Sequence, residues 1–334
     1  MAATPKLPLV SGSVRERYHI YHAEAHILSG EIKHPIERPL GSFGRVVLEH
    51  TRRESLITQS VSETNIEGLI SFERGHTRVS GTQVKQKKDA FGNDHAGWVT
   101  QSTAAIKRIN VIDIITSDHI VAQVSTEHPT TDGDVPRVNF IGTRFDNLRV
   151  GGFPVRFDLD LSLCGDKPEN DASYLQDKAF LERVEKQLET FADQDDLPES
   201  LEKQYGAEIV YIDELKKRAK ERADGERIDG SPKLRFSLIK HIDPIPLPGV
   251  RVFGNHIFIP NFGTVALAGV EVGIKSDHSN SLYMMSDSSQ SEPSSSNYFT
   301  LDMINIQLGC SATGNISGPS ATANGSNGPG GSTI

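Results

Sequence analysis

The stretch RYHIYHAEAHILSG, residues 17–30, decides between two readings of the chain. Its centre, HAEAH, sets His22, Glu24 and His26 at every second position, with His19 just upstream. A zinc-protease helix needs H-E-x-x-H, with the glutamate directly after the first histidine. Here Glu24 comes two positions after His22, and the neighbours Ile20, Tyr21 and Ile27 favour strands. In a strand, alternate side chains share a face. His22, Glu24 and His26 then point one way, and Tyr21, Ala23, Ala25 and Ile27 point the other. The second set suits a core and the first suits water. Two uses of the polar strip stay open. It is a solvated face, or it binds a metal, since alternate residues stand about 6–7 Å apart. The metal reading needs a fourth ligand from elsewhere, and the sequence names none.

The same period-two pattern continues outward. GRVVLEHT, ESLITQSVSE, LISFERGHTRVSGTQV, AGWVTQSTAAIKRI and VIDIITSDHIVAQVSTEH read as strands punctuated by Gly, Pro, Asp and Asn. NLRVGGFPVRF reads as a hairpin, because Gly151-Gly152 between alternating runs supplies the positive φ that tight hairpin turns require. From about residue 170 to 226 the register changes. SYLQDKAFLERVEKQLETFADQ puts Phe180, Leu181, Val184, Leu188 and Phe191 on one helical stripe, with Ser173 or Asp171 as cap. Asp195-Asp196-Leu197-Pro198 predicts a break, a short second helix through Tyr205, and a third helix capped by Asp213 and ended by Gly225. The β pattern then resumes. The expected fold is mainly β, a sandwich or barrel-like domain over residues 17–310, with a β-solenoid as runner-up. The helical insertion at about 170–226 covers a sheet edge or presents a surface. Residues 1–16 read as a flexible arm, 276–297 as a Ser-rich mobile loop and 311–334 as a flexible tail.

Composition narrows the function classes. The chain has 334 residues, enough for one large or two ordinary domains, and 36% are hydrophobic. The net charge of -9 argues against nucleic acid, which selects a basic footprint. No apolar run reaches membrane-spanning length, and MAATPKLPLVSGSV lacks a signal-peptide core, so the chain reads as cytoplasmic and not membrane-inserted. The two cysteines, Cys164 and Cys310, exclude a cysteine zinc set and leave open whether they pair.

Other motifs carry less. KKDAFGNDHAGW gathers Asp89, Asn93, Asp94 and His95, without the alternating acids and final glutamate of a calcium loop, so it reads as a turn. Trp98 follows it; with Tyr21 or Tyr18 it is a candidate for stacking on a sugar ring, against the usual role of a core residue. Ser117-Asp118-His119 reads as a turn between strands. No nucleophile elbow, P-loop or dinucleotide fingerprint is present. In the insertion, Lys216, Lys217, Arg218, Lys220 and Arg222 lie near an acidic stretch from Asp193 to Glu202, either a solvated face or a docking surface for a second copy.

STAAIKRINVIDIITSDHIVAQVSTEH, GTRFDNLRVGGFPV, and IFIPNFGTVALAGVEV followed by FTLDMINIQLG together resemble bacterial surface and secreted β proteins of the choice-of-anchor type, over about half the chain. The resemblance implies an all-β, extracellular or surface module without recognised catalytic residues, and no site residue is carried over. The helical insertion, and the lack of a signal peptide or an anchor, depart from that pattern.

The expectation is therefore a non-enzymatic structural or interaction protein that self-associates, binds another protein or presents a binding surface. The alternatives are a carbohydrate-binding module using Trp98 or Tyr21, and a metal-dependent enzyme built on His19, His22, Glu24 and His26. No cofactor is expected unless that cluster holds a metal.

Overall fold

The computed structural model describes residues 18–35, 37–88, 94–129, 135–169, 173–221, 232–276, 295–309 and 312–328. The chain opens with β1 (Tyr18–His26), β2 (Ser29–His34), β3 (Arg38–Pro39), β4 (Val46–Thr51), β5 (Ser55–Val61), β6 (Thr64–Ile66) and β7 (Ile70–Phe72). Three long strands follow: β8 (Arg74–Lys88), β9 (Asp94–Val111) and β10 (Ile115–Pro129). Then come the short strands β11 (Arg137–Asn139), β12 (Arg144–Asp146), β13 (Arg149–Val150), β14 (Phe153–Pro154) and β15 (Phe157–Leu159). A 3-10 turn (Tyr174–Gln176), α1 (Lys178–Ala192) and α2 (Glu199–Glu221) form the insertion. After it run β16 (Lys233–Ser237), β17 (Ile239–Ile242), β18 (Arg251–Phe253), β19 (His256–Ile259) and β20 (Gly263–Ser276). The last strands are β21 (Ser295–Leu308), β22 (Thr313–Ser317) and β23 (Ser320–Gly328).

The fold is mainly β and sandwich-like. Among the described residues, eleven strands form one sheet and ten the other, while β15 and β17 pair separately. Every pairing is antiparallel, as in a sandwich and unlike the stacked parallel coils of a solenoid. In the larger sheet β1 lies between β4 and β23, and β23 lies between β1 and β21. In the smaller sheet β9 lies between β8 and β10 along most of its length.

The opening stretch is the inner strand that was expected. Tyr21, Ala23, Ala25 and Ile27 are buried, and His22, Glu24 and His26 are half-buried on the opposite face. Small residues let the two sheets approach. A Cβ on Gly81 would lie 2.4 Å from Cγ of Tyr21, so that ring packs where β8 has no side chain. Along the smaller sheet the inward rows grade from apolar to polar. Gly75, Ile106 and Ile120 face one another across the strands at one end, and the buried Trp98 and His128 at the other, where Trp98 pairs with the exposed Gln83.

The Gly151-Gly152 hairpin is present. Arg149 pairs with Pro154 and Val150 with Phe153, with φ of +55° and +82° at the two glycines.

Three expectations are corrected. Residues 313–328, read as part of a flexible tail, form β22 and β23. The Gly-, Ser- and Asn-rich composition hides an inward row of Ala321 and Ala323, which are fully buried opposite Ala25 and Ala23. The second and third helices are one helix, α2, and Asp213 lies within it. Leu201, Tyr205, Ile212 and Leu215 form one continuous buried stripe, so the packed face runs through Gly206 without a break. Ser117–His119 lies inside β10 and is not a turn. Residues 1–16, 277–294 and 329–334, Asp89, Asn93, Asp171, Arg222, Gly225 and Cys310 fall outside the described residues. Cys164 is buried, which pushes its thiol pKa up.

The helices dock on the β16 end of the larger sheet. Ser173 caps the 3-10 turn with a reciprocal bond to Gln176, and Asp177 caps α1 through Ala179 and Phe180 N–H. The stripe from Phe180 to Phe191 is buried as expected. Gln187 donates to the carbonyls of Ser237 and Ile239 (2.8 and 3.2 Å) and accepts from Ser237 N–H (3.2 Å). This satisfies the backbone of edge strand β16 from above. Lys216 of α2 pairs with Glu185 of α1 and ties the helices together.

Candidate functional site

The outer face of the larger sheet carries polar rows that cross strands distant in sequence. Arg235 of β16 faces Glu271 of β20, which faces Thr300 of β21, then Thr322 of β23, then Glu24 of β1. In the next row Ser237, Gly269, Asp302, Ser320 and His26 follow one another. The His22–Glu24–His26 strip is thus one margin of a wider polar surface. The helices cover the opposite margin.

Between the helices and this face lies a groove of about 620 Å³. Gln204, Tyr205 and Glu208 line it from α2. Arg235, His256, Phe258, Glu271, Asp302, Asn305 and Gln307 line it from the strands, and Asn255 from the turn between β18 and β19. Tyr205 Oη and His256 Nδ1 share a hydrogen bond of 3.0 Å. Burial lowers the His256 pKa to about 4, so the imidazole is neutral near pH 7, and burial raises that of Tyr205.

The two groove carboxyls on either side of Arg235 differ. Burial raises the pKa of Glu208, against the bond it accepts from Arg235 N–H at 3.5 Å. Burial also disfavours ionised Glu271, but hydrogen bonds outweigh it and lower the pKa. Those bonds come from Lys233 (2.9 Å), Tyr298 (3.0 Å) and Arg235 (3.2 Å).

The strip itself is not arranged as a metal centre. Among the described residues, no group of three or more His, Cys, Asp or Glu side chains is placed to hold a metal ion. Arg45 takes both oxygens of Glu24, at 2.7 and 3.1 Å, and holds its carboxyl below the usual range. His26 Nε2 lies 3.1 Å from Ser29 Oγ, and burial lowers its pKa. The metal expectation for His22, Glu24 and His26 is corrected on this ground: the central carboxylate serves an arginine.

The sugar-stacking expectation for Trp98 and Tyr21 is corrected as well. Trp98 is 5% exposed and Tyr21 1%, so neither ring offers a face to a ligand. Trp98 stacks instead on His19, with centroids 5.4 Å apart and planes 9° apart. His128 lies 4.6 Å from His19, and Tyr21 lies 4.8 Å from it. These four rings close the polar end of the sandwich interior. Burial, followed by the neighbouring His19, pushes the His128 pKa well below its ordinary value.

Ser117, Asp118 and His119 do not act as one unit. Ser117 Oγ donates to the Asp146 carbonyl, Asp118 accepts from Asn147, and His119 Nδ1 faces Arg144 and Asp146. The groove residues Glu208, Arg235, Glu271, Asp302, Asn305 and Gln307 were not singled out from sequence. Their one signal is polar alternation along KLRFS and TLDMINIQL, which marks an outer face but not that helices overhang it.

Fold and groove define a β-sandwich protein with a helical insertion overhanging one sheet. The chain matches the family model described as "Domain of unknown function (DUF8256)" over residues 19–273, and it belongs to that family. No curated protein and no solved structure matches it. No helix among the described residues is long and apolar enough to cross a membrane.

Proposed function

We propose that the chain is a non-catalytic binding module whose ligand, a small saccharide, lies in the groove between α2 and the outer face of the larger sheet. The observation that carries this reading is the groove's chemistry. Gln204, Asn305 and Gln307 contribute amides, Glu208, Glu271 and Asp302 contribute carboxyls, and the half-buried Phe258 contributes a ring. Amides and carboxyls supply paired donors and acceptors that match adjacent hydroxyls. Aromatic rings cover the apolar side of a pyranose. The volume is in the range of small-molecule sites, roughly 300–1,000 Å³, but the lining is more polar than usual, which selects a hydroxyl-rich ligand. A glycan array followed by calorimetry tests it. Asn305→Ala and Gln307→Ala are each expected to weaken binding about tenfold, the loss of one hydrogen bond to a neutral partner. No binding to any glycan, or binding indifferent to both variants, rejects it.

One observation favours a second reading, a hydrolase acting on the same class of ligand. Glu208 and Glu271 line one groove, both bonded to Arg235, and their surroundings push their pKa values in opposite directions. Unequal carboxyls of this kind divide acid and base roles in glycosidases. Turnover of chromogenic glycosides that Glu208→Gln abolishes supports it, and an inert wild-type protein that still binds sugar eliminates it.

A further inference from the structure

The strand β5 is the long unprotected edge of the smaller sheet. It pairs with β8 alone, and among the described residues no backbone hydrogen bond reaches its other side. The outermost strands elsewhere are short or irregular: β3 and β14 have two residues, β6 and β18 three, and β4 pairs with β1 through a register shift. The helices cover β16. Short, bulged and covered edges are how β proteins avoid pairing with other chains. The seven residues of β5, SLITQSV, use none of these devices. They include no charge and no proline, and the ladder to β8 has no bulge. The five central residues are exposed on both faces, with Leu56 59% and Ile57 38% accessible.

The flanks specify what fits there. Arg53 lies five residues before Thr58 and Glu63 five residues after it. If two copies of β5 pair antiparallel about a two-fold axis at Thr58, Arg53 of each copy stands opposite Glu63 of the other. Leu56 then opposes Ser60, Ile57 opposes Gln59, and the two Ile57 side chains become diagonal neighbours across the axis. One register thus pairs both sets of charges and covers the exposed isoleucine.

We propose that β5 is a homodimerisation edge, through which two copies join their smaller sheets into one continuous sheet with Thr58 on the two-fold axis. The contact is isologous and closed, so it yields dimers and not filaments. It is independent of the groove, which lies on the other sheet. A seven-residue ladder is smaller than the roughly 1,000 Å² expected of a permanent interface, so the dimer is concentration-dependent.

Sedimentation equilibrium of the full chain over a concentration series tests the proposal. The wild type is expected to pass from monomer to dimer. Thr58→Lys and Thr58→Glu each place like charges on the axis and are expected to stay monomeric. An equimolar mixture of the two is expected to dimerise again, because the charges at the axis are then opposite. Thr58 is exposed and faces Arg78 within its own sheet, so thermal melts verify that both variants fold. An independent pair serves if either does not: Arg53→Glu weakens the dimer and added Glu63→Arg restores it. A wild type that is monomeric at every concentration overturns the proposal. So does a dimer indifferent to these substitutions. A dimer that needs residues 1–17 but not Thr58 assigns the contact to that segment and overturns it too.

Discussion

At the scale of residues, four histidines share one bias. Burial lowers the pKa of His26, His119, His128 and His256, the last to about 4. An unfolded chain holds these groups near 6.5, so between about pH 6.5 and 4 the unfolded state binds more protons than the native state. The stability from neutral His256 is therefore complete above about pH 6.5 and is lost as pH falls toward 4, a change on the order of 3 kcal/mol for that residue. Glu208 runs the other way, because its raised pKa lets the native state take up a proton first. Urea midpoints measured from pH 7 to pH 4 are expected to fall steadily, and His256→Gln is expected to flatten part of the slope. A flat wild-type profile would contradict the burial of these rings.

At the scale of elements, α2 shows how a tertiary face overrides a local break. Gly206 weakens a helix by its backbone freedom, yet Leu201, Tyr205, Ile212 and Leu215 keep the chain helical by burying one stripe. A Cβ at Gly206 would meet no atom within 4 Å. Gly206→Ala is therefore expected to stabilise the protein by about 0.5–1 kcal/mol, read as a raised urea midpoint. Destabilisation would place the helix break back at Tyr205. The Gly151-Gly152 hairpin is the opposite case. Its turn depends on two positive φ values that the dipeptide itself supplies, so it was legible locally.

At the scale of the whole molecule, the larger sheet is closed by the last strands of the chain. β1 reaches β21 only through β23, and β22 joins β2 to β21. The family match ends at residue 273, before all three of these late strands. Removing residues 310–334 strips partners from β1, β2 and β21 and exposes the inner faces that Ala321, Ala323 and Ile316 cover. The truncated chain is expected to lose its cooperative thermal transition and to aggregate through open edges. A shortened protein with an unchanged melting profile would refute the central role of β23.

Most of the sandwich was readable because a strand buried on one face must alternate, and HAEAH with its neighbours alternates strictly. The amphipathic α1 and the charged insertion were readable for the same reason, at period 3.6, but α1 is capped by Asp177 and not by Ser173, which caps the 3-10 turn before it. Three features were decided only in three dimensions. The tail became strands because Ala321 and Ala323 lie flat against Ala25 and Ala23, a match of small residues that composition alone does not reveal. Trp98 turned inward because His19, from the other sheet, stacks on its ring. The groove joins residues from positions 204 to 307, brought together by strand register and by a helix lying over a sheet. Sequence alone determined the period of most segments, though not of β22 and β23, since periodicity is a local consequence of which face is dry. Only the tertiary structure decided which faces meet, because that depends on contacts between residues far apart in the chain.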